Sequence, residues 1–423
     1  MKDILTILKE TTDCEYRVNT TKTESYELFF VHKKAETVRS SDSTTRSVTL
    51  YADHDGYKGD YSFRVSASDS EARIADKIRA AEKQAKLICN QAYSLPAKET
   101  LDCDIPSNFS SLPMSELAAR IAEACFAADT LENGSINALE VFVYRETVTV
   151  ENSNGLVKRE RKYSAMVEAI PTWNENGDSV ELYEAHRFTQ FDAKSITEEI
   201  AEKLREVRDR YHAKKPASSL DVPVVFRAAE LANLCNELAS DLQYSAVYGK
   251  TNLFSKGDVL QKRTDGDPLT LEAKAEVPGS RYSAAFDADG SSLKDTTLVE
   301  GGVVQNYFGG TRFAQYLNEP CTGALPCVRL HAGTLTEEEL RRTPHLVCAS
   351  MSGLQLDLYN DYIGGEIRLA YLVEGDKATP ITGISVSGKL SDALASLRLS
   401  SDETTKGNYY GPDKGLCRGL KIF

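Results

Sequence analysis

At 423 residues the chain is too long for one small core, so two or three domains are expected. Its 41% apolar and 27% charged content is that of a globular protein, which excludes wholesale disorder, and no run approaches the 18 apolar residues of a membrane-spanning helix. Fifty basic against 63 acidic residues leave a net charge of −13, and the bases alternate with acids instead of clustering, which argues against direct binding of DNA or RNA.

The opening Met1-Lys2-Asp3-Ile4-Leu5-Thr6 lacks a long apolar run and a small-residue cleavage site, so secretion is not expected. Nine cysteines, at positions 14, 89, 103, 125, 235, 321, 327, 348 and 417, are an odd number with no CxxC pair. A disulfide framework is therefore not expected. The thiols read as small buried hydrophobes in a reducing cytoplasm.

Residues 2–10 read as a short helix. Alternating segments follow at Tyr26–Val31, Ala35–Arg39, Ser47–Ala52 and Tyr61–Val65, with β-branched and aromatic residues at period two, which predicts strands of one sheet. Asp53-His54-Asp55-Gly56 supplies turn chemistry between the last two. A helix is predicted over about 69–92, where Ile74, Ile78, Ala81, Ala85 and Ile88 form one apolar stripe.

The same order then recurs. Ser115–Phe126 is helical; Leu139–Tyr144, Thr147–Glu151, Arg161–Ile170 and Val180–Phe188 read as strands; a second long helix spans about 196–213, with Ser195 and Glu198 as a capping box. Residues 1–213 thus read as an N-terminal domain of two similar helix–meander–helix units, about 1–95 and 112–213. The segment 214–223 has the Pro, Ser and Lys content of a linker. Beyond it, one helix at about 227–243 precedes short strands with turns at Asp265-Gly266, Asp289-Gly290, Gly301-Gly302 and Gly364-Gly365. This predicts a β-rich, barrel- or sandwich-like C-terminal domain over 224–423, and an α+β fold overall.

Catalytic signatures are sparse. The closest histidines, His331 and His345, lie fourteen residues apart, and no pair has the four-residue spacing that sets two zinc ligands on one helical face. There is no GxSxG elbow, no SxxK and no Walker A loop. On the helix at 227–243, 100° steps bring Leu231, Leu234, Cys235, Leu238 and Leu242 into one apolar stripe. Glu237 and Asp241 flank it and Asn236 lies almost opposite. By geometry alone this is an ordinary amphipathic helix with a solvated polar face.

Val224-Val225-Phe226 and the helix after it, followed by Phe254-Ser255-Lys256-Gly257, Asp287-Ala288-Asp289-Gly290, Leu298–Val304 with Tyr307, Gly353–Tyr359, Ala370–Gly375, Gly388-Lys389-Leu390 and Gly419–Phe423, resemble in their shared order the TldD/PmbA family, the modulators of DNA gyrase or peptide-maturation proteins. The resemblance spans essentially the whole chain. It implies two branches: TldD, whose HExxxH helix and a later cysteine hold a catalytic zinc, and PmbA/TldE, which lacks that set and pairs with TldD. Without a gap the motif falls on Asn236-Glu237-Leu238-Ala239-Ser240-Asp241, where only Glu237 survives. Asn236 and Asp241 replace both histidines, and Ser240 stands where the family commonly has Gly. Cys417 lies in the closing strand, away from a Gly-rich ligand loop. Neutral amide oxygen is a poor zinc ligand beside imidazole, and without the ligands no water is acidified to hydroxide.

The resemblance therefore implies a cytoplasmic PmbA/TldE-like subunit with no metal, no cofactor and no catalytic residue of its own, its degenerate motif being Asn236, Glu237 and Asp241. Its partners would be a TldD-like catalytic subunit in a heterodimer, or a second copy in a homodimer, with peptides or unfolded proteins as substrates taken by strand addition. Neither nucleic acid nor membrane is expected as a partner. Whether the chain is itself an enzyme is left open. Two rivals stand beside this reading: an interaction protein that modulates DNA gyrase or a toxin–antitoxin system by binding, and a thiol hydrolase built on Cys235, against which the residue's place on the apolar stripe argues.

Overall fold

The structure, a computed structural model, describes residues 2–262 and 265–423. In chain order its first elements are α1 (Ile4–Thr11), β1 (Glu15–Val31), β2 (Lys34–His54), β3 (Tyr57–Val65) and α2 (Glu71–Ala85). After β4 (Thr100–Asp104) come α3 (Met114–Ala127), β5 (Gly134–Asn152), β6 (Val157–Glu175), β7 (Asp178–Glu181), β8 (Glu184–Phe188) and α4 (Ala193–His212). The strands form one eight-stranded sheet in the order β3-β2-β1-β5-β6-β4, with β7 and β8 also paired to β6. Its centre is the antiparallel β1–β5 pair, from Arg17 opposite Asn152 to Val31 opposite Ala138.

Side-chain period accounts for this half. Val18, Val48, Leu50, Ile74 and Ile78 interlock under α1 and α2, while Leu28, Leu139, Val141, Val143, Ala165 and Val167 pack under α3 and α4. Two hairpins turn on Asp55-Gly56 and Asn176-Gly177, both residues of each at positive φ, as a tight two-residue turn requires. The β1–β2 hairpin makes the same turn with His32 and Lys33, at φ 46° and 62°.

Three local expectations are corrected. Ala35–Arg39 and Ser47–Ala52 are parts of one 21-residue strand, β2, because the polar residues between them keep their ladder to β1. The second long helix starts at Ala193 and is capped by Asp192, whose carboxylate accepts the Lys194 and Ser195 amides, so the Ser195–Glu198 capping box is not used. Helix α2 stops at Ala85, with Leu87 and Ile88 exposed beyond it. The chain passes very close to that helix end: a Cβ on Gly59 would overlap the Ala85 and Ile88 carbonyl oxygens. Gly59→Ala is expected to cost about 2 kcal/mol in a urea melt, because backbone cannot yield as a side chain can.

The second half continues with β9 (Val224–Arg227), α5 (Ala228–Asp241), α6 (Tyr244–Gly249), β10 (Leu271–Lys274), β11 (Thr296–Glu300), β12 (Val303–Val304), α7 (Thr311–Leu317) and β13 (Cys327–Leu330). Next come β14 (His345–Met351), β15 (Gln355–Asp357), β16 (Tyr362–Glu374), β17 (Lys377–Ile381), β18 (Ile384–Lys389), β19 (Arg398–Leu399), β20 (Glu403–Lys406), β21 (Tyr409–Pro412), β22 (Lys414–Cys417) and β23 (Lys421–Ile422). They build a six-stranded sheet, β12-β11-β10-β13-β21-β20, and a nine-stranded one around β19-β22-β9-β14-β16-β18-β23. One apolar core, including Leu231, Leu234, Leu238, Leu271, Val299, Leu346, Ile367 and Tyr409, joins both sheets to α5. The fold is α+β, with a strand-rich C-terminal half as expected. Gly364-Gly365, expected in a turn, lies inside β16, where a Cβ would strike the Tyr362 ring and the Gly353 carbonyl.

Candidate functional site

Helix α5 runs between the two C-terminal sheets, and its buried stripe is the one read from sequence: Leu231, Leu234, Cys235 and Leu238. Burial pushes the Cys235 thiol well above its ordinary range, which leaves it protonated and a poor nucleophile.

The three degenerate-motif residues are spent on different tasks. Asn236 is half-buried and exchanges two amide hydrogen bonds with Asn408, which lies just ahead of β21: its Nδ2 donates at 3.1 Å and its Oδ1 accepts at 2.9 Å. Its predicted solvated position is thereby corrected. Glu237 projects into solvent. Asp241 is buried at the helix end and accepts the backbone amides of Leu253 (2.6 Å) and Phe254 (3.0 Å), so its carboxylate folds the following loop against α5.

Cys417 is buried in β22 beneath Leu231 and Leu234, under the N-terminal part of α5, and burial raises its thiol to about 12. These side chains do not fit a zinc ion: one amide and one carboxylate are committed to protein donors, and the thiol stands at the other end of the helix. Among the described residues no three His, Cys, Asp or Glu side chains are grouped to hold a metal.

At the N-terminal end of α5 the structure opens a cleft of about 1340 Å³ between β8 and α4 on one side and β9, α5 and β20 on the other. That exceeds the ~300–1,000 Å³ usual for small-molecule sites. Glu184 through Phe188 of β8, and Thr404, Thr405 and Lys406 of β20, all line it. Consecutive residues line a space only when a strand presents its edge, since a face would show alternate ones. Strand β20 is the last of its sheet, and β8 is paired on one side to β6. Lys406 Nζ reaches 3.6 Å from Glu184 and 3.9 Å from Glu199, so the two edges stand within the combined reach of a lysine and a glutamate.

The floor is an ion network. Glu206, with 2% of its side chain exposed, receives Arg227 at 2.6 Å and Lys203 at 2.9 Å; Arg227 also meets Glu202 at 3.3 Å, and Lys203 meets Glu184 at 3.6 Å. Burial works against charge on Arg227, but Glu206 and Glu202 outweigh it and hold the guanidinium protonated. Burial likewise opposes ionisation of Glu199, yet the hydrogen bond from His186 at 2.9 Å prevails and keeps this carboxyl below its ordinary range. At Glu230 the balance is reversed: burial outweighs the backbone hydrogen bonds and the Arg227 charge, and raises its pKa.

Sequence reasoning missed this cleft. Its one local hint is Glu202 and Glu206 at helical spacing around Lys203; the remainder is assembled from segments some two hundred residues apart.

Residues 219–421 match the family model for the PmbA/TldA metallopeptidase C-terminal domain. The metalloprotease PmbA homolog of Haemophilus influenzae is 22% identical over 366 residues, covering 82% of this chain and 80% of that protein. TldE from Thermococcus kodakarensis superposes with a TM-score of 0.79 at 15% identity, over 98% of this chain and 97% of the other. A proposed modulator of a DNA gyrase from Thermotoga maritima gives 0.74 at 15% identity, covering 97% and 96%. One from Bacteroides thetaiotaomicron gives 0.75 at 17%, covering 98% and 96%. At such identities the solved structures establish a shared fold. The sequence match through residues 219–421 places that C-terminal half in the TldD/PmbA family, as the C-terminal domain of its metallopeptidases.

Proposed function

We propose that the chain is the non-catalytic, PmbA/TldE-like subunit of a TldD/TldE-type zinc peptidase assembly that acts on peptides or unfolded proteins. The observation that carries this is the fate of the motif: Asn236 is bonded to Asn408 and Asp241 to two loop amides, so neither is free to replace a histidine ligand. The chain's contribution is then to hold substrate. The cleft between the β8 and β20 edges supports that role, since unpaired strand edges template extended peptide through main-chain hydrogen bonds.

Co-expression with a TldD-like chain tests the reading. The two are expected to co-purify, with chelator-sensitive peptidase activity in the mixture and none from this chain alone. Stoichiometric zinc in the isolated chain, or peptidase activity abolished by chelator, would overturn it. Capture of gyrase in place of a peptidase subunit would favour the binding-modulator reading that the Thermotoga and Bacteroides relatives' descriptions suggest.

A further inference from the structure

The helices α3 and α4 cover only one face of the eight-stranded sheet. Leu28, Val141, Val167 and Phe188 point to them. Alternation sends their neighbours to the opposite face, where the register aligns Arg39, Glu27, Phe142, Met166 and Arg187 in one row across β2, β1, β5, β6 and β8. One end of this face is covered by the loop at 285–292: Arg17 pairs with Asp289, Asn19 donates to the Ala288 carbonyl, and the Ala285 amide donates to Glu160. The row through Phe142 lies beyond those contacts.

One cation-binding unit on this face is complete. The Arg39 guanidinium sits 5.3 Å over the Phe29 ring and pairs with the buried Glu27 carboxylate. One strand further, the same ingredients recur; the charge of Arg281 reaches Tyr144, but among the described residues no cation pairs with the carboxylates there. Phe142 meets Phe29 edge-on at 5.6 Å and stacks parallel to Tyr144 at 6.3 Å. Beside them Glu140 and Glu168 stand directly opposite each other across β5 and β6. Like charges in that relation repel; the Tyr183 hydroxyl donates to Glu168, but among the described residues neither carboxylate has an ion-pair partner, Arg187 included. Burial, then the Glu168 charge, raises the Glu140 pKa. A cation held between the two carboxylates would relieve the repulsion, and the ring quadrupoles would add to its attraction.

We propose that this face binds a lysine or arginine side chain of an extended polypeptide, its cation seated between the half-buried Glu140 and Glu168 beside the Phe142–Tyr144 stack. The inference rests on the peptide-holding role above and adds a preference for basic segments.

The test compares two capped pentapeptides carrying a neutral fluorophore, Thr-Val-Lys-Val-Thr and its norleucine analogue, by fluorescence anisotropy on the full chain at low salt. The lysine peptide is expected to bind about tenfold more tightly, an advantage lost in E140Q/E168Q. Removing the repulsion should leave that variant's melting temperature equal or higher. E140K, which supplies the cation from within, should melt higher and also lose the preference. Equal affinity for both peptides, or a lysine preference that persists in E140Q/E168Q, overturns this inference while the peptide-holding role stands. Failure of both peptides to bind overturns the two together.

Discussion

Replacing Arg227 with alanine is expected to cost about 3 kcal/mol of stability, the lower end of what breaking a buried ion pair costs. Glu206 would stay in the floor of the cleft with Lys203 as its remaining cation, and Lys203 also serves Glu184. A desolvated carboxylate with half its compensation is costly whatever the fate of the vacated space. Arg227→Lys should recover part of the loss, because an ammonium can still reach one carboxylate but cannot bridge Glu202 and Glu206 as the guanidinium fork does. The informative control removes both partners: Arg227→Met with Glu206→Met is expected to melt near the parent, since apolar replacement of a whole buried pair is often neutral. Urea melts of the four proteins check this. A double variant as unstable as Arg227→Ala would mean that the guanidinium's packing, and not its charge, holds α4 to β9.

The second large effect belongs to the motif. Asp241→Ala should cost about 2 kcal/mol, because the half-buried Leu253 and Phe254 amides each lose a charge-assisted acceptor. Asp241→Asn, with one acceptor oxygen left, should lose roughly half as much. The consequence for zinc is sharper. Restoring the family pattern with Asn236→His and Asp241→His is expected to yield a destabilised protein without stoichiometric metal, since an imidazole cannot accept both loop amides and the Asn408 pairing is broken as well. Metal analysis and thermal melts of the double variant give the answer, and tight zinc binding by a stable protein would show the site to be merely dormant.

These residues also show what a sequence can and cannot convey. The stripe of α5 and the stripes of α2 and α4 were readable because burial on one helical face leaves a period of 3.6. The turns at Asp55-Gly56 and Gly301-Gly302 were readable because glycine accommodates positive φ. The His32-Lys33 turn was not, since neither residue advertises that conformation. The continuity of β2 was hidden because Arg39–Thr45 are polar toward both faces, so the ladder to β1 is set by register and not by a hydrophobic pattern. At the site, the resemblance located Asn236, Glu237 and Asp241, yet nothing local reports that Asn236 bonds a residue 172 positions away. The cleft was invisible for the same reason, its ion network drawing on α4, β9 and β20.

The β1–β5 pair at the middle of the large sheet has a bearing on how the protein is made. Its strands are joined by more than a hundred residues, so β1 leaves the ribosome with β2 and β3 long before its other neighbour exists. At about 5–20 residues per second, the stretch from the end of β3 at Val65 to the start of β5 at Gly134 takes roughly 3–14 s. Throughout it the inner edge of the nascent three-stranded meander stands open, and it is in this window, more than in the finished fold, that the chain depends on dilution or on a chaperone to avoid pairing with a stranger.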